Sequence, residues 1–367
     1  MATHDATSMS FINLPHPSPV PVDVRDAVLA DPGFGKHFSD HMVTIDWSEE
    51  LGWHNPTVGP LAPIPLHPAA SVLHYAQEIF EGLKAYRLKD GAMALFRPEA
   101  NAARFNRSAE RLAMPSLPED LFVEACKQIV AVDRDWFPAL DGGSLYLRPF
   151  MIATEAFLGV RPAKCYKFMV IASPAGNYFK SGAPAVSIWV SHYTRAAPGG
   201  TGAAKCGGNY AASLVPTAEA FAHGHDQVLF LDAAEHKWVE ELGGMNLYFA
   251  FDDGTLITPP LTGTILPGIT RESLLTLARE EGLTVREERY SIDQWRADAA
   301  SGRLIECFAC GTAAVVTPIG TVADPEAGAF TIGTGGPGQL TQRLKDRLVS
   351  IQRGLVPDTH GWVMRLD

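Results

Sequence analysis

The chain has 367 residues, 46% of them hydrophobic and 19% charged, which suits two globular domains with substantial cores. A formal net charge of −11 and a pI of about 5.5 argue against a nucleic-acid partner, because an acidic surface gains nothing from counterion release. No apolar run reaches the roughly 18 residues of a membrane-spanning helix.

The first twenty or so residues are rich in Pro and Ser and read as an extended arm. They lack the basic start and apolar run of a secretory signal and the repeated Arg of a mitochondrial transit peptide. Five cysteines (Cys126, Cys165, Cys206, Cys307 and Cys310) form an odd, sparse set. Such usage points to a reducing compartment, and the protein is expected to be cytoplasmic.

The segment LKAYRLKDGAMALFRP places two β-type runs around Asp90-Gly91, a hairpin signal. Two helices follow. Ala102, Phe105, Ala109 and Leu112 recur at steps of three and four in the first. Pro115 and Pro118 separate it from the second, whose buried face carries Leu121, Phe122, Ala125, Ile129 and Val130. YKFMVIAS (166–173) is a buried strand, PAGNYFKSGAP breaks the pattern, and SIWVS resumes it. A linker is therefore expected over 181–195, between an N-terminal domain (1–180) and a C-terminal domain (196–367). In the latter, QVLFLD, MNLYFAF and RLIECFA read as strands. RESLLTLAREEG and QLTQRLKDRLVSIQRG read as helices. The mixture in both halves implies two α/β or α+β domains.

Several signals fail. Gly35-Lys36 lacks the upstream glycine and the Ser or Thr of a P-loop, since Ala30 and His37 stand there. Gly200-Thr201-Gly202 lacks the third glycine of a dinucleotide fingerprint. Cys307 and Cys310 form a lone CxxC inside an apolar strand, with no second pair for zinc, and are expected to be two buried thiols. His-rich metal spacing and Gly-x-Ser-x-Gly are both absent.

Four elements carry chemistry. GGTGAAKCGGNYAASL (199–214) sets Lys205 among five glycines, which leave backbone open to a ligand. Lys205 is either a solvated loop lysine or a Schiff-base lysine, and Tyr210 either a ligand hydroxyl or a core tyrosine. VEELGGMNLYF places Glu240 and Glu241 before a Gly-Gly turn, either as solvated acids or as a carboxylate for a cofactor ring nitrogen. ILPGITRESLLTLAREEG offers the Ile269 and Thr270 amides at a helix N-terminus, which suits a phosphate but is common to all helix starts. Gly311-Thr312 is a further anion-facing turn. In RFNRSAER, Arg104, Arg107 and Arg111 are spaced to share one helix face, a solvated basic face unless a phosphate lies against it.

Taken together, HYAQEIFEGLKAYR, LFRPEANAARFNRSAERLAMP, LYLRPF, GGNYAASL, EELGGMN and LPGITRESLL resemble, in order and over most of the chain from about residue 40, the fold-type IV branched-chain amino-acid aminotransferases. The resemblance implies a two-domain α/β (α+β) fold with pyridoxal 5'-phosphate between the domains. It implies reversible transfer of the amino group of L-leucine, L-isoleucine or L-valine to 2-oxoglutarate, giving L-glutamate, without a metal. It also implies a homodimer whose pocket residues are shared across the interface.

By the same resemblance, Lys205 bonds covalently to the cofactor, Glu241 pairs with the ring nitrogen and Tyr210 bonds the ring hydroxyl. Arg104, the Ile269 and Thr270 amides and Thr312 hold the phosphate. Tyr75, Phe80, Tyr146 and Tyr178 wall the substrate pocket. Arg148 suits the second carboxylate of glutamate, and Ala313 lies in the turn that meets the substrate carboxylate. Gly244 stands where animal members often carry a Thr. Their redox CxxC follows the turn, whereas Cys307 and Cys310 precede it, so no redox switch is implied. The rivals are a D-amino-acid aminotransferase, a 4-amino-4-deoxychorismate lyase, and a noncatalytic ligand-binding protein on the same fold.

Overall fold

A computed structural model describes residues 9–140, 142–176 and 185–366. It divides the chain into two compact units. The first comprises 1–178 with 204–207 and 352–367, and the second comprises 179–203 with 208–351.

In the first unit, strands β1 (Ile12–Asn13), β2 (His41–Ser48), β3 (Gly52–Pro60), β4 (Glu78–Phe80), β5 (Leu83–Arg87), β6 (Met93–Phe96), β7 (Ser144–Ala153) and β8 (Cys165–Ala175) build one sheet. The C-terminal strand Val363–Leu366 completes it beside β6. The order is β1-β3-β2-β8-β7-β5-β6 and then the C-terminal strand, with β4 paired to β7. The Asp90-Gly91 turn joins β5 and β6 as an antiparallel hairpin, as its residues demand. Helices α1 (Val22–Ala30), α2 (Ser71–Tyr75), α3 (Pro98–Arg111) and α4 (Glu119–Val132) belong to this unit.

Strand alternation divides this sheet into two chemically different faces. Leu83, Ala85, Leu145, Leu147, Phe168 and Val170 point to one face and bury against α3 and α4. There Phe105, Phe122 and Phe168 meet with ring centroids 5.4–5.8 Å apart. The alternate residues, Lys84 and its cross-strand partner Tyr146, face the other way. So does Arg148, two residues along β7. The apolar half of each strand fixes the register, and the register places the polar half.

The second unit holds β9 (Val186–Val190), β10 (Gln227–Leu231), β11 (Val239–Leu242), β12 (Asn246–Phe251), β13 (Thr255–Thr258), β14 (Thr284–Glu287), β15 (Leu304–Gly311), β16 (Val315–Asp324) and β17 (Gly328–Thr331). Their order is β11-β10-β9-β16-β15-β12-β13-β14, with β17 on β16. Helices α5 (Gly207–Ala211), α6 (Leu214–Ala222), α7 (Ile269–Glu280), α8 (Ile292–Ser301) and α9 (Gln339–Gln352) accompany it.

This division differs from the expected one. The span 181–195, expected as a linker, contains β9, which pairs in parallel with both β10 and β16. Its alternating Ile188 and Val190 enter the second core, so it is an interior strand. Ala204–Gly207, expected in the C-terminal domain, pack with the first unit, as does the C-terminus.

Lys84 is buried on the polar face of the first sheet. Burial, and then the charge of Arg353, pull its pKa down to about 8. An unfolded lysine titrates at about 10.4, so the folded state carries a penalty that is complete below about pH 8 and fades as pH rises toward 10.4. Lys84→Met is expected to raise stability at neutral pH by about 2 kcal/mol. The gain should shrink above about pH 9 in thermal melts across pH.

Candidate active site

In the first unit, Lys205 is fixed by its backbone. Its N–H donates to Ser108 Oγ (2.9 Å), and its carbonyl accepts from the Phe80 N–H (3.0 Å). Its ammonium lies 4.8 Å from the Phe80 ring centroid. The Arg148 guanidinium lies over the same ring at 4.7 Å and over Tyr146 at 5.6 Å. Arg148 Nη2 donates to the Tyr146 hydroxyl (3.2 Å), and Phe34 packs edge-on against Tyr146 at 4.9 Å. Gly82 leaves room for this ring, because a Cβ there would collide with the Tyr146 hydroxyl. Phe80, Tyr146, Arg148 and Lys205 are thus one cluster.

Behind them lies a residue that the sequence reading did not single out. Glu81 is fully buried and receives Arg104 Nε and Nη2, each at 2.8 Å, together with Asn101 Nδ2 at 2.7 Å. Burial alone would raise its pKa. The charge and hydrogen bonds of Arg104, the charge of Lys205 and the Asn101 bond outweigh burial and hold it below the usual range. Arg104, Arg107 and Arg111 do not act as one face: Arg104 turns inward onto Glu81, while Arg107 and Arg111 are exposed. Two donors of Arg104 are therefore committed to protein. A lone acid in the apolar run IFEGLKAY was the available signal, since such a charge requires a buried partner.

Glu78 was also missed. Its carboxylate accepts the Gly207 N–H. Burial raises its pKa, and the Gly207 bond and the Arg148 charge oppose that shift. Tyr75 stands apart from the Phe80 cluster. It is exposed, and its hydroxyl bonds the Leu158 carbonyl. Tyr178 lies outside the described residues.

The second unit gathers the remaining predicted residues. Glu241 is buried in an ion pair with Arg195 and accepts the Leu266 N–H (3.2 Å). Asn246 Nδ2 donates to the Leu266 carbonyl (3.1 Å) and lies 3.5 Å from Glu241 Oε2. Leu266 opens the turn into α7, so Glu241 is tied to the segment that presents Ile269 and Thr270. No side chain caps α7, whose N-cap is Gly268. A Cβ at Gly268 would strike Asn246 Oδ1, so glycine permits this close approach. A Cβ at Gly244 would come within 3.8 Å of the Tyr210 ring, and one at Gly311 within 3.4 Å of Met245 and 3.6 Å of the Gly244 carbonyl. Thr312 and Ala313 form the turn between β15 and β16, closed by Val315 at φ +61°. A β-branched residue in that region costs about 1–3 kcal/mol, and such strain concentrates where a turn must present its amides.

The model of the family described as "Amino-transferase class IV" matches residues 78–322. The chain belongs to the class IV aminotransferases. It is 60% identical over 355 residues to a probable branched-chain-amino-acid aminotransferase of Streptomyces coelicolor, covering 96% of this chain and 97% of that one. It is 57% identical over 349 residues to a branched-chain-amino-acid aminotransferase of Mycolicibacterium smegmatis, with 94% and 95% covered. Among solved structures it resembles the branched-chain amino acid aminotransferase of Escherichia coli, with a TM-score of 0.72, 29% identity, and 89% and 99% of the chains covered. The branched-chain amino acid aminotransferase of T.th., solved with N-(5'-phosphopyridoxyl)-L-glutamate, matches equally, with a TM-score of 0.72, 29% identity, and 88% and 98% covered.

The residues of this aminotransferase fit a phosphorylated, nitrogen-ring aldehyde. The first unit offers an amine on an aromatic wall, and the second, taken by itself, offers a helix N-terminus without a side-chain cap and a buried carboxylate held by Arg195 and a backbone amide. The CxxC does not supply a redox centre. Cys307 points into the core of the second unit, whereas Cys310 lies on the opposite face of β15, near Tyr248 and Arg271. Three residues of strand separate their Cα atoms by about 10 Å, beyond disulfide reach. Burial pushes the Cys310 thiol up to about 12 and raises that of Cys307 well above its ordinary value. Among the described residues no His, Cys, Asp or Glu group can hold a metal, and no helix is long and apolar enough to cross a membrane.

Two outcomes are expected. Glu81→Gln leaves Arg104 buried without its counter-charge and should cost about 3 kcal/mol at neutral pH. Because the folded Glu81 pKa is depressed, the pair's contribution is complete above the unfolded value of about 4.3 and is lost as pH falls through the lower folded value. The gap between wild type and variant in thermal melts should therefore narrow under acid. A thiol reagent should modify the exposed Cys165 and spare Cys307 and Cys310 in the native protein. A Cys307–Cys310 disulfide found by mass spectrometry after mild oxidation would contradict their opposite-face placement.

Proposed function

We infer that this protein is a branched-chain-amino-acid transaminase that uses pyridoxal 5'-phosphate. It moves the amino group of L-leucine, L-isoleucine or L-valine reversibly to 2-oxoglutarate. The observation that carries this reading is the placement of Lys205 and Arg148 over one Phe80 ring. A reactive amine and a cation suited to a distal carboxylate flank one apolar surface. A site that alternates between a branched side chain and glutamate requires that combination. The named relatives and solved structures support the same activity.

When bound, pyridoxal phosphate supplies an aldehyde that takes up the amino group and a conjugated ring that draws electrons from the carbon losing its proton. The chain does the rest. Lys205 Nζ would hold the cofactor covalently. When free, its amine would accept the proton from the substrate α-carbon as general base and deliver a proton to a different carbon as general acid. Glu241 would hold the ring nitrogen, and the Arg195 pair keeps that carboxylate oriented. Tyr210 would bond the ring hydroxyl. The Ile269 and Thr270 amides, Thr312 and Arg104 would hold the phosphate, with Glu81 fixing the direction of Arg104. Phe80 and Tyr146 wall the apolar part of the substrate, Arg148 takes the γ-carboxylate of glutamate, and the Ala313 turn beside Gly244 meets the α-carboxylate.

A homodimer fits the exposed apolar side chains near Tyr75, namely Leu73, Phe157, Leu158 and Val160. Tyr75, which stands away from Phe80, then walls the pocket of the second copy. A cytoplasmic location fits the sparse cysteines.

In the test, the visible absorbance band of the holoenzyme is followed on addition of L-leucine and then of 2-oxoglutarate. The band should shift and then return. Lys205→Ala should lower turnover by about 10³-fold or more while phosphate contacts still retain some cofactor. Substantial residual transamination by that variant would remove Lys205 from its role. A holoenzyme that ignores leucine but responds to D-amino acids would move the assignment to another activity of the fold.

A further inference from the structure

The site that this reading assigns must bury an apolar side chain beside Arg148 in one half-reaction and a carboxylate in the other. A guanidinium covered by an aliphatic group loses water and gains nothing unless another charge compensates it. The side chains that touch Arg148, Phe80 and Tyr146, include no carboxylate, and among the described residues the buried Arg148 Nε has no hydrogen-bond partner.

Glu78 supplies the compensating charge. It precedes Phe80 by two residues on β4, so both project to the same side of that strand. β4 pairs antiparallel with β7, Glu78 opposite Ile152 and Phe80 opposite Phe150, which puts both residues on the face that carries Arg148. The Gly207 N–H, two residues beyond Lys205, holds the carboxylate in place. A Cβ at 207 would meet that carboxylate oxygen, so a side chain there would push Glu78 out of this position. Among the described residues Glu78 makes no direct ion pair with Arg148 and acts on it through space, so it does not occupy the guanidinium's donors.

We propose that Glu78 is a specificity-determining residue, a fixed counter-charge that lets Arg148 tolerate an apolar side chain and that weakens, without abolishing, its hold on a substrate's distal carboxylate. The proposal rests on the transaminase reading above. A carboxylate that binds Arg148 directly makes charge-assisted hydrogen bonds that the more distant Glu78 does not make, so the acid substrate still binds. It binds against repulsion from Glu78, and the two substrate classes are thereby brought closer in affinity.

Two variants separate charge from hydrogen bonding. Glu78→Gln keeps an acceptor for the Gly207 N–H and removes the charge. Glu78→Ala removes both. With the holoenzyme and L-isoleucine as donor, kcat/KM is measured for 2-oxoglutarate and for 4-methyl-2-oxopentanoate. Both variants should move the ratio about tenfold toward 2-oxoglutarate. Binding of two unreactive acids, glutarate and 4-methylvaleric acid, is titrated through the cofactor absorbance and should shift in the same sense. An unchanged ratio and unchanged binding preference in Glu78→Gln, with a change in Glu78→Ala alone, would overturn the proposal and leave Glu78 as a support for the Lys205 loop. A wild-type protein that fails to transaminate isoleucine or leucine would instead overturn the functional reading, and the two-acid titration would still judge Glu78.

Discussion

The buried pair between Glu81 and Arg104 holds together the part of the first unit that carries Lys205. Glu81 lies between β4 and β5, and Arg104 lies on α3, so the pair ties the strand edge to the helix beneath it. One turn further along α3, Ser108 takes the Lys205 N–H, while Phe80, adjacent to Glu81, takes the Lys205 carbonyl. The lysine is therefore gripped by two elements that the ion pair has already locked together. Taking two charges out of water costs several kcal/mol each, and a buried pair seldom returns more than that as net stability. What the pair supplies is direction. It commits Arg104 by a fork that a lysine could not reproduce, so the position and orientation of a guanidinium beside the lysine loop are set before any ligand arrives.

The second unit solves the same problem with a different pair. Arg195 bonds the Glu241 carboxylate and also donates to the carbonyls of Gly202 and Thr264. It thereby ties Glu241 to the root of the loop that runs on to Lys205 and to the segment that leads into α7. Asn246 adds a further tie to Leu266. In both units the residue expected to touch the cofactor is held by a charged partner that touches the loop framework. Pre-organisation of this kind removes the entropy of ordering side chains from the binding step.

What the sequence disclosed and what it hid follow from the range of the interactions. The β5–β6 hairpin and the helices α3, α4, α7 and α9 were legible, because a turn dipeptide or a 3.6-residue repeat is a local property. The strand SIWVS was legible as a strand, but its place between β10 and β16 was not, since sheet neighbours are chosen by contacts distant in sequence. Hence an interior strand was read as a linker. Lys205, Glu241, Tyr210 and the start of α7 stood out by resemblance and glycine content. Their partners did not. Arg195 lies in a polar stretch that carries no periodicity, and Glu78 resembles any half-exposed strand acid until Gly207 is folded against it. Arg104 was legible as a basic residue but not as a buried one, because the spacing of Arg104, Arg107 and Arg111 cannot show which of them meets Glu81.

Under the proposed assignment, this one surface would have to serve two unlike substrates. An apolar wall alone would discriminate between leucine and glutamate by the full cost of burying a carboxylate, and an arginine alone would reverse that preference. Phe80 carries Arg148 on its ring, which keeps the cation at the edge of the apolar surface instead of in its centre. The cation–π contact is worth about 0.5–2 kcal/mol, enough to park the guanidinium yet small beside a direct carboxylate bond. In the role proposed for it, Glu78 would set the depth of that well from a distance, anchored to the backbone two residues from Lys205. Dual specificity in such an arrangement would come from balancing weak interactions around one strong cation, so modest changes in the side chains that surround Arg148 would retune it more readily than changes to Arg148 itself.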